Sequence, residues 1–194
     1  MNVVWPVTAL WSGPLGAWAY FRFGRAGSKR AMREARRHHR EPPNRTQPFP
    51  VFVAKGCTHC GSGCTLDDIG AELLFLAIPF TLFGHHLFAT WIYDYAAALL
   101  FGIAFQYFTI KPMRDEPPMG ALADAFKADT LSLTAWQVGM DGWMAVATLA
   151  IFRQELRPTS IVFWLMMQIG MLAGFLMSYP VNWVLLKKGV KEPM

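Results

Sequence analysis

Charge is scarce in this sequence of 194 residues. Asp, Glu, Lys and Arg supply only 16% of it, well under the roughly 25% of a soluble domain. The hydrophobic fraction is 54%, aromatics are 14%, and the mean hydropathy is +0.26. A chain this apolar lacks the polar surface to cover itself in water, which argues against an ordinary soluble domain and predicts lipid as its solvent. Acids are scarcer than bases, 13 against 18. Cysteine numbers three. No Ser-His-Asp arrangement, phosphate-cradling glycine loop or nucleotide motif occurs, so the sequence leans against an enzyme.

Five apolar stretches stand out against the roughly 20 residues needed to cross hydrocarbon. They run over residues 3–21, 68–87, 91–110, 131–152 and 160–186. The first contains Pro6 and Pro14 and no charge. With no Lys or Arg before it, it does not read as a signal peptide. The second has Glu72 near one end and Pro79 near its middle, and a re-entrant segment is its alternative reading. The fold expected is all-α: a polytopic membrane helix bundle of about five transmembrane helices in one domain.

Orientation follows from where the bases fall. Ten of the 18 Lys and Arg lie between Arg22 and Lys55, three between Lys111 and Ala128, and three in the C-terminal tail; Arg153 and Arg157 alone lie opposite. By the positive-inside rule the segment 22–67 is a basic cytoplasmic loop, the N-terminus is outside and the C-terminus inside. The expected location is the bacterial inner membrane. The basic block therefore predicts anionic lipid, not nucleic acid, as its partner. Ser28 to Arg40 reads equally as a short basic surface helix or a solvated stretch. Gly170 and Gly174, and Ala98 and Gly102, have the small-xxx-small spacing that lets helices approach. No internal repeat supports an inverted-repeat transporter.

All three cysteines fall within eight residues: Cys57-Thr58-His59-Cys60-Gly61-Ser62-Gly63-Cys64. In a reducing cytoplasm stable disulfides are not expected. A C-x2-C pair in a tight turn aims two sulfurs at one point and suits a soft metal, Cu or Zn. Gly61 and Gly63 would let the backbone wrap, and His59 or Asp68 would complete a ligand set. Cys64, Asp68 and Glu72 are spaced i, i+4, i+8, one face of a helix leading into the membrane. The candidate metal residues are thus Cys57, His59, Cys60, Cys64, Asp68 and Glu72. The alternative is structural: Thr65 or Asp67 capping a helix start.

Ionisable groups within spanning helices cost a few kcal/mol each and face a partner or water. Glu72, Asp94 and Asp141 are the ones here, and no Lys or Arg lies within a predicted span to neutralise them. Protonated carboxyls, hydrogen bonds to Gln106, Gln137, Gln168 or Asn182, and a bound cation are the open readings. His85 and His86 at a short outer turn read as interfacial polar residues or metal ligands. Met140, Met144, Met167 and Met171 read as packing more than as Cu(I) ligands.

These residues resemble a bacterial membrane family catalogued as domain of unknown function 4396. The resemblance runs through Thr8 to Arg25, Gly56 to Glu72 (GCTHCGSGCTLDDIGAE), Phe101 to Arg114, Lys127 to Met144 and Pro158 to Met194. It implies that Cys64 and Asp68 are a core pair and that Cys57 is an elaboration. It also implies an aromatic residue where this chain has Asp141. The family carries no activity over; an association of some members with copper proteins points towards a metal. Three functions are expected from the sequence: handling or transport of a soft cation such as copper, an accessory subunit among other membrane protein subunits of a respiratory or photosynthetic complex, and a membrane thiol oxidoreductase using Cys57 and Cys60.

Overall fold

The computed structural model describes residues 4–78, 81–82, 86–110 and 118–191. The expected turn at His85 and the start of the loop at Lys111 lie outside them. Among the described residues every element is helical.

Chain direction first changes at Gly13. Helix α1 (Val4–Ser12) ends there and α2 (Pro14–Arg22) begins, nine residues each. Gly13 sits at φ 55°, ψ −133°, a conformation that a Cβ strongly disfavours, and Pro14 starts the new helix without needing an N–H. The two helices fold back on each other: the Trp5 and Tyr20 rings lie 5.7 Å apart, and Trp5 packs over Gly24. The expected continuous span 3–21 is therefore a helical hairpin. Each arm is about 14 Å long, under half of a hydrocarbon core of about 30 Å. Gly13→Ala should lower thermal stability by about 1–2 kcal/mol through this backbone strain, although its Cβ would meet no atom. A melting curve unchanged from wild type would contradict the assigned turn.

A short 3-10 turn (Gly24–Gly27) leads to α3 (Lys29–Arg37), whose first turn is capped by Ser28 accepting from the Ala31 N–H at 3.2 Å. The even choice over Ser28 to Arg40 thus resolves as a basic helix.

Helix α4 (Phe49–Ala77) is the main departure from expectation. Most of its first two-thirds was expected to be loop. Glycine, cysteine, serine and threonine have modest helix propensity, but small side chains let neighbouring helices come close, and packing overrides propensity. A Cβ on Gly61 would collide with the Trp136 ring, and one on Gly56 would fall 3.1 Å from Asn182 Oδ1. Gly61, one of the two glycines expected to let the chain wrap a metal, instead admits a neighbouring ring, and a Cβ on the other, Gly63, would meet nothing within 4 Å. The expected second span 68–87 likewise ends early, at Ile78.

Helices α5 (His86–Ile110), α6 (Pro118–Ala145) and α7 (Ile161–Lys187) follow. A π-helical turn (Val146–Phe152) extends α6 and stops at Arg153, in the left-handed region. α6 and α7 form the closest antiparallel pair. A Cβ on Gly139 would lie 2.7 Å from the Ala173 carbonyl oxygen, and one on Gly174 would lie 2.9 Å from the Trp136 carbonyl oxygen. α4 runs through the middle, touching α1, α5, α6 and α7.

Beside an apolar core, several polar groups are buried and several large apolar ones are exposed. Asp67, Asp68, Glu72, Asp94, Gln137, Asn182 and Lys191 are buried, whereas Ile161, Leu176, Leu100 and Leu73 are more than 60% exposed. Among the described residues one helix, α7, is long and apolar enough to cross a membrane by length and composition; Phe88–Phe101 is a shorter apolar stretch.

Candidate functional site

Because α4 is central, nearly every side chain it carries from Val53 to Asp68 faces another helix. Cys57, Cys60 and Cys64 are 0–4% exposed and are free thiols. A continuous helix separates Cys57 from Cys64 by about 10 Å along its axis and turns His59 about 200° away from Cys57. The six predicted ligands, Cys57 to Glu72, extend over about 22 Å of helix. In this continuous helix the C-x2-C pair does not make the tight turn expected for Cu or Zn.

Each part of that file meets different neighbours. The Cys60 thiol lies 3.0 Å from the Ser132 hydroxyl of α6, and Lys191 Nζ approaches the same sulfur at 3.5 Å. Asn182 of α7 donates to Ser132 Oγ at 2.6 Å and to the Ser178 carbonyl at 3.0 Å. This polar knot ties α4, α6, α7 and the C-terminal tail together. Asn182, expected as a partner for a buried acid, serves the knot. A buried thiol is inert towards electrophiles, so all three cysteines should resist N-ethylmaleimide in mild detergent and react only after SDS is added. Rapid modification of Cys57 or Cys60 in the folded protein would contradict this packing.

Two turns further along, the carboxylates converge. Asp67 and Asp68 on α4 and Asp94 on α5 each offer an oxygen within 4.8 Å of the others. Their residues are 2%, 1% and 5% exposed. Among the described residues, both oxygens of Asp67, both of Asp68 and one of Asp94 meet no hydrogen-bond partner. Buried carboxylates left this way cost several kcal/mol as ions, so the arrangement asks for a positively charged or protonated occupant. Three oxygens within 4.8 Å fit around one cation at ligand distances of about 2.1–2.5 Å. Of the six predicted ligands the structure brings Asp68 into this cluster. Sequence alone offers Asp67 only as a helix cap, and Asp94 as one of three acids within spans with a bound cation among its open readings. Glu72 is buried one turn beyond Asp68.

One opening reaches the cluster, and the lining of a second contains none of its three aspartates. A cavity of about 160 Å³ reaches Asp68 between α1, α4 and α7, with Thr65, Met167, Gln168 and Met171 in its wall. A wider crevice of about 520 Å³ lies between α5 and α6, lined by Tyr95, Thr134, Gln137 and Asp141 among others. Among the described residues, both polar atoms of the Gln137 amide are buried and without a partner. Met140 and Met144 belong to the apolar core with Met167 and Met171, consistent with packing.

The helices that build this arrangement coincide with a known sequence family. The model for the Domain of unknown function (DUF4396) matches residues 52–191. The chain belongs to this family. The match takes in α5, α6, α7 and nearly all of α4, and with them all three aspartates, the cysteine file and the Ser132–Asn182 knot. The α1–α2 hairpin and α3 precede the DUF4396 region. No curated protein and no solved structure matches the chain.

Proposed function

We propose that this DUF4396 protein is a multi-pass membrane protein that binds a hard divalent cation in its interior and passes it across the bilayer. One observation carries the reading: three carboxylates from two helices meet in a buried place, most of their oxygens unpaired. Oxygen-only sets suit Mg²⁺, Mn²⁺ or Ca²⁺ and are poor for Cu(I), which prefers thiolate and thioether. The donor chemistry thus shifts the expected soft-metal function towards a hard ion.

Lipid as solvent is supported by the exposed leucines and isoleucines together with the acids and amides held inside, because apolar surface carries no penalty in hydrocarbon while charged groups avoid it. Four helices of 25–29 residues exceed the crossing length. The hairpin arms fall short of it and fit a re-entrant or interfacial position. Four crossings put both termini on one side, and with the N-terminus inside every Lys and Arg outside these helices falls on that side except Arg153 and Arg157.

Flux into liposomes tests this. Wild-type protein should admit Mn²⁺ and quench a trapped fluorescent chelator, and Asp68→Asn should not. Equal quenching by the two, or none by wild type, would reject the reading.

A further inference from the structure

The elbow between α2 and α3 joins two surfaces of opposite character. On the α2 side Leu15, Trp18 and Phe21 are each more than 60% exposed, an apolar surface that hydrocarbon can cover. The chain then turns basic. Eight Lys and Arg and a single acid, Glu34, lie between Arg22 and Arg40. Rings and cations meet at the changeover: the Arg22 guanidinium lies 5.3 Å from the Phe23 ring centre, and that of Arg25 lies 6.0 Å from the Phe21 ring centre. Aromatic rings beside bases at the end of an apolar surface suit the level of lipid headgroups.

Helix α3 turns its charge outwards. Ala35 is buried and Ala31 and Met32 are half-buried, whereas Arg30, Arg33, Arg36, Arg37 and Arg40 are all exposed. Arg30, Arg33 and Arg37 share one face by their i, i+3, i+7 spacing. The helix packs chiefly against the Gly24–Gly27 turn, which leaves that face open. Its apolar stripe is short and already partly covered, so insertion of the stripe cannot hold α3 on a bilayer and charge must supply the attraction. A cavity of about 470 Å³ opens at the same elbow, bordered by Trp5, Tyr20 and Phe21 and by Gly24, Gly27 and Ser28 of the turn that starts α3.

Nucleic acid and anionic lipid both offer phosphates to an arginine face. Nucleic acid would leave Leu15, Trp18 and Phe21 in water, whereas a phospholipid covers both surfaces at once. Its headgroup meets the bases, and its chains meet the apolar side of α2. We propose that the α2–α3 elbow is a binding site for an anionic phospholipid, with the headgroup on the arginines of α3 and the acyl chains along α2. The site rests on the reading of the chain as a membrane protein and not on cation binding at the aspartates.

The test is native mass spectrometry of the full-length protein titrated with phosphatidylglycerol in a neutral detergent, which counts the lipids bound. Wild type should bind phosphatidylglycerol saturably and at least about tenfold more tightly than phosphatidylcholine. Raising the ammonium acetate concentration should weaken the binding, because exposed charges are screened. The triple variant Arg30→Gln/Arg33→Gln/Arg37→Gln removes exposed charges and no packed group; it should melt like wild type and bind phosphatidylglycerol at least about tenfold more weakly. Arg153→Gln/Arg157→Gln, equally exposed but outside the elbow, should bind like wild type. A photoactivatable phosphatidylglycerol should label α2 or α3 of wild type, a readout that stands even where the triple variant fails to fold. Equal affinity for the two lipids, unchanged binding by a folded triple variant, labelling confined to α4–α7, or displacement of the lipid by an RNA oligonucleotide at equal phosphate concentration would each overturn the assignment. Phosphatidylglycerol binding as described, in a protein that admits no Mn²⁺, would reject the transport reading and leave this site standing.

Discussion

Asp68→Asn should melt higher than wild type in a chelator and lower than wild type in millimolar Mn²⁺. Without a cation the three buried carboxyls repel one another, and removing one relieves that penalty. With a cation the balance reverses. A ligand at about 100 times its Kd stabilises the folded state by about 2.7 kcal/mol, which is about 5–10 °C for a chain of this size. The variant forfeits that rise because one of three converging ligands is gone. Asp94→Asn should behave the same way although it lies on a different helix, and this agreement tests the convergence itself. Asp141→Asn, Cys57→Ser and Cys60→Ser should keep most of the Mn²⁺-dependent rise. Protons compete with metal for carboxylates, so the wild-type rise should shrink as pH falls. Melting curves in detergent with and without Mn²⁺ measure all of this. A wild type indifferent to Mn²⁺, or an Asp68→Asn that still responds fully, would contradict the assignment.

The second large effect concerns the α6–α7 contact. Gly139→Ala should destabilise by about 2 kcal/mol or more, whereas Gly142→Ala should be neutral or gain up to about 1 kcal/mol from better helix propensity. Both are glycines in the same helix, three residues apart. A Cβ at 139 would sit 2.7 Å from the Ala173 carbonyl oxygen and 2.9 Å from Gly174 Cα, which are backbone atoms that cannot rotate aside; a Cβ at 142 would meet nothing within 4 Å. The helices would have to separate to admit the first, loosening the Ser132–Asn182 bond two turns away. SDS titration of the folded fraction reads the difference. Equal stability of the two variants would show that α6 and α7 do not approach at Gly139.

How much of this was readable beforehand depends on the residue chemistry of each helix. α7 and α5 carry few polar groups, so length and hydropathy locate them to within a few residues. α4 departs from the reading because its signal is packing: Gly56, Thr58, His59, Gly61, Ser62 and Gly63 dilute the hydropathy around the cysteines, and the partners that make a helix of the segment, Trp136 and Asn182, are more than 70 residues distant. The hairpin was hidden for a different reason. Residues 3–21 are uniformly apolar, and only Gly13-Pro14 hints that the backbone takes a positive φ and reverses. The acids were seen one at a time. Their scarcity and the lack of basic partners were legible, but the meeting of Asp67 and Asp68 with Asp94 depends on the antiparallel pairing of α4 and α5. The cysteines attracted attention as ligands because their spacing fits a turn; in a straight helix the same spacing makes a buried stripe.

Metal content measures the central claim most directly. The full-length protein, purified in mild detergent and dialysed against an equimolar mixture of Mg²⁺, Mn²⁺, Ca²⁺, Zn²⁺ and Cu⁺, is analysed by elemental mass spectrometry. The account predicts about one equivalent of Mg²⁺, Mn²⁺ or Ca²⁺, lost in Asp67→Asn, Asp68→Asn and Asp94→Asn and retained in Cys57→Ser/Cys60→Ser. Retention of Cu or Zn instead, abolished by the cysteine substitutions and untouched by the aspartate ones, would contradict it.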